Sequence, residues 1–599
     1  MTTDSFARTL ASRANLASTM LAESVAVAAA STIASGNTFV RTAGFAGPGD
    51  EGGALYKRVG TQPAHAGRFQ SADGAWWEIA EAVVRPQMFG AKGDASPDNN
   101  AVGTNDSTAV QNAFNYLALF PGKALYLGGD FFKIQNIRIP TRLEARRWFI
   151  YGEGGGFVNP ATATSQVPCL FHSSLAASGD AARSYDYSDG VTLKDVNFHG
   201  AGFGVGYAHL IAGHLYHENC SFQNLEDGLL TIGVAGIVGV RPRALYCKRA
   251  FHAPLKTEYA FTAGYTQEVS TGWNDGYFIR GGAITRCERG LVHKGSSNEG
   301  VVGVHDMIWT VGEQSYVETY GNFKTVDISH NWCEYTKADA GGAAVADCIR
   351  LWRSTGADTG GESPGQFSVH HNNFFFSAPS PVNSINTYAV RRCIDARVNC
   401  HVYENTFTCA SGGLVDLIIY NNIGSSGTPI TKAPITPNSL TTFNSSGIIG
   451  FADADLAQFG DAQSILYMQH DNGRTYILKW RNQPVVGTQN YDVHAFSPIY
   501  SPQFAAVNAQ WGVKTNQTLR TAPIGISCDF STNVTGLAAP VGAVGVWSGM
   551  NGGVVDASGN GTGGLITIER NTCQNIDMRL FYGQSNNGRY ILRDNIKRA

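Results

Sequence analysis

Three short segments of this chain repeat one pattern. Ile328-Ser329-His330-Asn331-Trp332-Cys333, Val369-His370-His371-Asn372-Asn373-Phe374 and Val402-Tyr403-Glu404-Asn405-Thr406-Phe407 each run apolar, two variable residues, Asn, one variable residue, then Cys or Phe. LKDVNFHG and ENCSFQN, further upstream, are looser forms of the same phrase. Short strands that end in Asn-bearing turns, recurring every ~20–50 residues, mark a solenoid. In such a fold each coil stacks on the last, and inward apolar residues line up in ladders. A propeller would need a regular four-strand blade repeat, which is not seen. A sandwich would show hairpin signals every ~8–12 residues, and these are scarce before residue 425. The expected fold class is therefore all-β, a parallel β-helix.

Composition fits this reading. Glycine is abundant, at 70 of 599 residues, and has no collagen-like period. A chain with many tight corners uses glycine this way, because it alone takes positive φ freely. The formal net charge is only −3, with no basic stripe. Nucleic acid is thereby excluded as the main partner, since phosphate binding needs clustered Lys and Arg. The 11 cysteines show no zinc-ribbon spacing and are expected to be reduced core residues. No stretch is long and apolar enough to span a bilayer, so no membrane insertion is expected. The first residues carry Asp4 in place of a basic region, which does not fit a secretory signal. Synthesis in a cytoplasm, with release by lysis, is expected.

Four regions follow from the texture of the chain. Residues 1–36 are Ala-rich and helix-favouring. Residues 37–83 are strand-like, punctuated by Gly47-Pro48-Gly49-Asp50 and Asp73-Gly74 turns. Residues 84–424 form the solenoid. It opens with Phe89-Gly90-Ala91-Lys92-Gly93-Asp94, then a helix capped at Asp106 with Ala109, Val110, Ala113, Phe114 and Leu117 on one face. Pro121-Gly122 stops that helix, and strands follow around Ala124–Leu127 and Phe131–Ile134. Residues 425–599 change character. Asn472-Gly473, Asn551-Gly552, Asn560-Gly561 and Asn587-Gly588 are hairpin turn pairs, so this region is expected to be a separate antiparallel β domain.

The block at 84–156, with its FGAKGD phrase, Asp-led helix, strand and Gly-Asp turn, resembles the opening segment of the pectate-lyase-like, right-handed parallel β-helix family. That family includes polygalacturonases and many bacteriophage tailspike depolymerases. The resemblance implies that the short helix caps the open end of the β-helix. It also implies a homotrimer on a virion tail, attached to a tail or baseplate protein through the N-terminus, with a bacterial surface polysaccharide as partner. The C-terminal region would then trimerise or bind sugar.

A β-helix carries its active site on an open face, where side chains of successive coils line up. Acid–Gly pairs recur at Asp227-Gly228, Asp275-Gly276 and Glu299-Gly300. Their spacings, 275 − 227 = 48 and 299 − 275 = 24, match a coil of about 24 residues. Stacked strands lie ~4.8 Å apart. Asp275 and Glu299 would then stand roughly 5 Å apart, the separation of a retaining glycosidase pair, and Asp227 two coils from Asp275. These three are the expected catalytic carboxylates, although Asp-Gly is also a plain turn former. Asn224-Leu225-Glu226-Asp227-Gly228 resembles the Asn-Thr-Asp-Gly element of polygalacturonases, whose Asp is catalytic; the rest of that enzyme's set is not found. Trp273, Trp332 and Trp309 lie nearby and are expected to bind sugar faces. Glu313, Glu318, Asp327 and Glu334 form a second acidic group. No metal set or cofactor motif is present, so no cofactor is expected. The expected activity is endo-glycosidic hydrolysis. A lyase using Lys256, Arg280 or Lys294 to hold a uronic carboxylate, and a non-cleaving adhesin, stand as alternatives.

Overall fold

In this computed structural model the described residues are 18–140, 147–162, 167–173, 190–254, 274–294, 300–310, 315–320, 323–335, 346–352, 366–376, 390–396, 400–409 and 415–422, followed by the strands and short turns between 437 and 598. The chain divides into two compact units, Met1–Gly282 and Ala283–Ala599.

The first unit opens with a small mixed sheet. Its strand order is Thr19–Ala22, Phe39–Thr42, Leu55–Val59, Trp76–Ile79, Arg68–Gln70. Of residues 18–36, Val25–Ala30 is helical, capped by the Ser24 hydroxyl, while Thr19–Ala22 pairs in parallel with Phe39–Thr42. Edge pairing overrides the helix preference of these residues. Residues 1–17 lie outside the described part.

The capping helix forms at Ser107–Leu119, burying Val110, Ala113, Phe114, Tyr116 and Leu117. Asp106 sits at its N-cap but turns its carboxylate elsewhere. It accepts from the backbone N–H of Lys92 (2.7 Å) and Gly93 (3.0 Å), inside the FGAKGD phrase. Gly93 has φ +65°, and a Cβ there would press on Asp130. The motif is therefore a clamp between the helix start and the first coil. Asp94 closes the inserted loop by accepting from the N–H (2.7 Å) and hydroxyl (2.9 Å) of Thr104. Asp106→Ala strands two N–H groups and is expected to cost about 2–3 kcal/mol. Faster amide exchange at 89–94 and along 107–119, with strands beyond 190 unchanged, would show it; uniform exchange across the unit would refute the clamp.

Each coil then runs through three strands, a, b and c. In the first unit Val205, Asp227 and Arg249 occupy one rung of strand a. Phe149, Thr192, Tyr216, Val238 and Phe278 occupy one outward rung of strand b. Phe157, Phe198, Phe222 and Ala244 stack inward on strand c. All these pairings are parallel. In the second unit strand b carries Val302, Val326, Phe367, Cys400 and Ile566 on one rung. Strand c carries Trp309, Cys333, Phe374, Phe407 and Cys573. Cys169, Cys220, Cys247, Cys287, Cys333, Cys348 and Cys400 are buried and form no disulfide.

The corner from b to c is a two-residue turn. Its first residue takes positive φ: His330, His371, Glu404 and Arg570 all lie at 52–59°. The second is a buried Asn. Nδ2 of Asn331, Asn372 and Asn405 each donates to the Oδ1 of the next, ending on Asn571, at 2.9–3.0 Å. The three aligned segments of the sequence fall in register on consecutive coils, Trp332↔Asn373↔Thr406.

The C-terminal expectation needs correction. An antiparallel sheet does form, from Pro437–Leu440 to Gln510–Lys514. Ile465–Gln469 and Thr475–Trp480 pair antiparallel, and Asn472-Gly473 between them lies outside the described residues. The chain then returns to the β-helix. Leu565–Glu569 pairs in parallel with Cys400–Tyr403, and Arg589–Arg593 with Leu565–Glu569. Asn587-Gly588 therefore leads into a parallel rung. Residues 551–552 and 560–561 lie outside the described part. Among the described residues no helix is long and apolar enough to cross a membrane.

Candidate functional site

Asp227 and Asp275 do not stand on one corner. Asp227 opens strand a, in Asp227–Val240. Asp275 precedes Gly276–Arg280, a strand b, where Tyr277 pairs with Ile237. Asp275 is thus level with Ala235, eight residues beyond Asp227, or roughly 26 Å along the strand. Glu299 and Trp273 lie outside the described residues.

Asp227 is fully buried. Arg249 grips it with Nε at 2.5 Å and Nη2 at 3.0 Å, and His252 Nδ1 stands 3.0 Å away. Burial pushes its carboxyl up, but His252 and Arg249 outweigh burial and hold it below the ordinary value. This is an ionised, fully paired wall residue, unlike a general acid. Arg249→Lys loses the two-pronged grip, with an expected cost of about 1–3 kcal/mol. A guanidinium unfolding midpoint equal to wild type would contradict that role.

Trp309 is also a core residue, 1% exposed, with its ring 5.1 Å from that of Tyr316. Strand alternation explains it, since the neighbouring Ile308 faces out. Trp332 is 40% exposed and stacks on Phe375 one coil on, at 5.9 Å and 20°. Glu318 is buried, held by Ser315 Oγ, by Tyr320 Oη at 2.7 Å and, more loosely, by Arg350 and Arg289. Glu313 and Lys256 lie outside the described residues.

One member of the second acidic group stands on an open face of the second unit. Along strand b, Val302, Val326 and Phe367 point inward, so Asp327 and His401 point out, as do His370 and Tyr403. The corner residues His330, His371, Glu404 and Arg570 project beside them. A chain of polar contacts results, running across successive coils. Asp327 Oδ1 meets His370 Nε2 at 2.9 Å. His370 Nδ1 meets His371 Nδ1 at 2.8 Å. His371 Nε2 meets Glu404 Oε2 at 2.7 Å. Arg570 Nε donates to Glu404 Oε1 at 2.8 Å and its Nη1 lies 3.3 Å from Glu569, which pairs with His401 at 3.1 Å. Tyr403 stacks flat on His370, at 4.6 Å and 9°. The side chains of Asp327 and Glu404 keep 37% and 36% of their surface, so solutes reach them. Burial, with His371 adding to it, holds His370 below the ordinary imidazole value despite Asp327. A neutral imidazole between a carboxylate and a second imidazole can take up or release a proton near neutral pH. Among the described residues no group of three or more His, Cys, Asp or Glu is placed to hold a metal.

Parallel pairing of the solenoid strands in each unit makes this part of the chain a right-handed parallel β-helix. No family model and no curated protein matches the sequence. Similar solved structures include the enzymatically active domain of tailspike protein 4 of bacteriophage CBA120, 11% identical over 78% of this chain and 63% of that one, TM-score 0.36. This chain therefore spans under two thirds of that protein. Pantoea stewartii WceF, a glycan biofilm modifying enzyme with a tailspike-like parallel β-helix, is 9% identical over 82% of this chain and 71% of its own, TM-score 0.33. Tailspike gp49 of Acinetobacter baumannii bacteriophage Fri1, a capsular polysaccharide depolymerase, is 11% identical over 82% and 96%, TM-score 0.30. These likenesses concern the fold alone.

Proposed function

We propose that this protein is a tailspike-type depolymerase that binds and hydrolyses a bacterial surface polysaccharide on the open face of strand b in its second unit. The observation that carries the proposal is the Asp327–His370–His371–Glu404–Arg570 chain. It lays two solvent-reached carboxylates, imidazoles, a tyrosine ring and a guanidinium along consecutive coils. Such a row suits an extended polymer better than a compact metabolite. Asp327 and Glu404 stand two coils apart, roughly 9–10 Å along the axis. Glu404 also lies three residues along the strand direction from His401, the residue level with Asp327, so the pair is wider than the ~5–5.5 Å of a covalent mechanism, and inversion at the anomeric carbon is the outcome hydrolysis by this pair would give. Trp332 and Phe375, around the corner, offer a flat apolar surface to a sugar ring. Attachment to a virion tail and assembly as a homotrimer belong to the same proposal and rest on the resemblance of residues 84–156.

A second reading follows from His370. Held neutral and stacked on Tyr403, it suits proton abstraction beside a uronic carboxylate, with Arg570 to bind that group. This would make the protein a lyase. The test is the size distribution of capsular and exopolysaccharides from a bacterial panel, before and after incubation, with near-ultraviolet absorbance recorded. Shortening without absorbance supports hydrolysis, and shortening with it supports the lyase. No shortening across the panel overturns both and favours an adhesin. Asp275→Ala and Glu299→Ala beside wild type test the acid–Gly residues as catalytic groups.

A further inference from the structure

The outward rung Phe149, Thr192, Tyr216, Val238 and Phe278 of the first unit has no part in the proposed cleavage site. Phe149 is 39% exposed, Val238 38% and Phe278 40%. Contiguous exposed apolar surface rimmed by polar residues marks a binding site. Aromatic rings fall on every second coil, at Phe149, Tyr216 and Phe278, roughly 9–10 Å apart along the axis. The coils between them carry the smaller Thr192 and Val238. Tyr151, with its ring nearly parallel to that of Phe149 (6.4 Å, 12°), broadens the first step.

On one side of this row, the last two coils turn Gly236 and Gly276 outward. Neither takes positive φ, and a Cβ on Gly276 would meet nothing closer than 3.5 Å. Glycine inside a strand weakens it, and is found where a ligand or another backbone comes close. On the other side run Lys194, Glu218 and Arg280. Glu218 is met by Arg241 at 2.7 Å and Lys194 at 3.9 Å, and accepts from Tyr216 Oη at 3.2 Å. Asp195 accepts from Asn219 Nδ2 at 2.8 Å. Over the last four of these five coils, three cations (Lys194, Arg241 and Arg280) thus border the row against two carboxylates, Asp195 and Glu218. The exposed Arg280 lies two residues beyond Phe278, on the same face.

We propose that this face of the first unit is a holding strip for an acidic polysaccharide, a second glycan site beside the one that cleaves. Steps two coils apart match the length of two linked pyranose rings, so successive rings take equivalent sugars of a repeating chain. Thr192, Lys194 and Glu218 offer polar atoms to its hydroxyls, and Arg280 takes a carboxylate beside Phe278. A second copy of this chain suits the face less, because the core of a protein interface is depleted of charge. Here charged side chains stand directly beside the rings. The inference rests on the depolymerase reading for the source of the polymer.

The test is affinity electrophoresis of the full chain, carrying Asp327→Asn so that the polymer stays whole. The gels hold each purified acidic capsular polysaccharide of the panel, its carboxyl-reduced form, or neutral dextran. At least one acidic polymer should slow the protein. Phe149→Ala combined with Phe278→Ala should then raise the dissociation constant ~10-fold or more. Arg280→Gln should weaken binding of the acidic polymer and leave that of its carboxyl-reduced form unchanged. All three positions are exposed, so unfolding midpoints in guanidinium should match the parent. No retardation by any polymer, or equal retardation of parent and variants, overturns the strip. So does a larger species in sedimentation that the variants lose while retardation stays the same, which would assign the face to contact between copies. Strip-dependent retardation in a protein whose wild type shortens no polymer keeps the strip and removes the depolymerase reading. Shortening by the wild type, with retardation indifferent to the strip, does the reverse.

Discussion

Asn372→Ala is expected to lower the stability of the second unit by roughly 3–6 kcal/mol. Asn372 is 1% exposed and stands in the middle of the asparagine ladder. Its Oδ1 accepts from the backbone N–H of Asn331 (3.0 Å) and from Asn331 Nδ2 (2.9 Å). Its Nδ2 donates to Ile328 O (2.9 Å) and to Asn405 Oδ1 (3.0 Å). Alanine leaves these groups buried with partners removed, each costing ~1–3 kcal/mol before relaxation. The corner has a second stake in the ladder. His330, His371 and Glu404 hold positive φ, which non-glycine residues adopt only when their surroundings compel it. Losing the middle Asn releases that compulsion, so faster amide exchange should spread to both flanking corners. Asn373→Ala, one residue on and facing solvent, should change stability by less than ~0.5 kcal/mol. Equal unfolding midpoints in guanidinium for the two variants would refute the ladder's role.

The same ladder explains why the β-helix was legible in the sequence. A two-residue corner needs one residue at positive φ, and on four coils of the second unit a buried Asn follows it. The phrase apolar, two variable, Asn, one variable, Cys or Phe is that corner with its inward neighbours. Its register survives loops of any length, because each copy marks the same point of a coil. The acid–Gly pairs had no such anchor. Asp227-Gly228 opens strand a and Asp275-Gly276 precedes strand b, so equal steps in sequence were unequal phases of the coil. Coils vary in length: Val205, Asp227 and Arg249 are 22 residues apart, whereas Ile237 and Tyr277 are 40 apart.

The histidine–carboxylate chain lay in plain view at the variable positions of the phrase. His330, His371, Glu404 and Arg570 are the residues just before each ladder Asn. Asking what the corner displays outward would have found them. The last of these was harder. Asn405 and Asn571 bond across 166 residues, and the antiparallel sheet lies between them in sequence. Asn-Gly turn chemistry is local and reports a hairpin wherever two strands meet. It carries no sign that the chain will return to a rung it left so far back.

Asp327→Asn and Glu404→Gln are each expected to cut the initial rate of polymer shortening by ~10²–10⁴, the usual worth of one positioned acid or base. Both keep the shape of the side chain. The amide oxygen of the first variant can still accept from His370, and that of the second can still accept from Arg570. The fold should therefore survive while proton transfer does not. The two variants should also lose about the same amount, because an inverting reaction needs both groups in each turnover. Removing both should then cost little more than removing one, since groups that act as a unit are not additive. Arg570→Lys keeps the charge beside Glu404 but loses the planar fork, and a milder loss, ~10-fold, is expected. Asp227→Asn separates the two possible centres. Its partners Arg249 and His252 belong to a buried wall, so a folded Asp227→Asn protein should cut polymer at close to the wild-type rate. If Asp327→Asn and Glu404→Gln both cut normally while Asp275→Ala or Glu299→Ala does not, catalysis belongs to the acid–Gly residues. The strand-b chain would then be left as a structural brace across its coils.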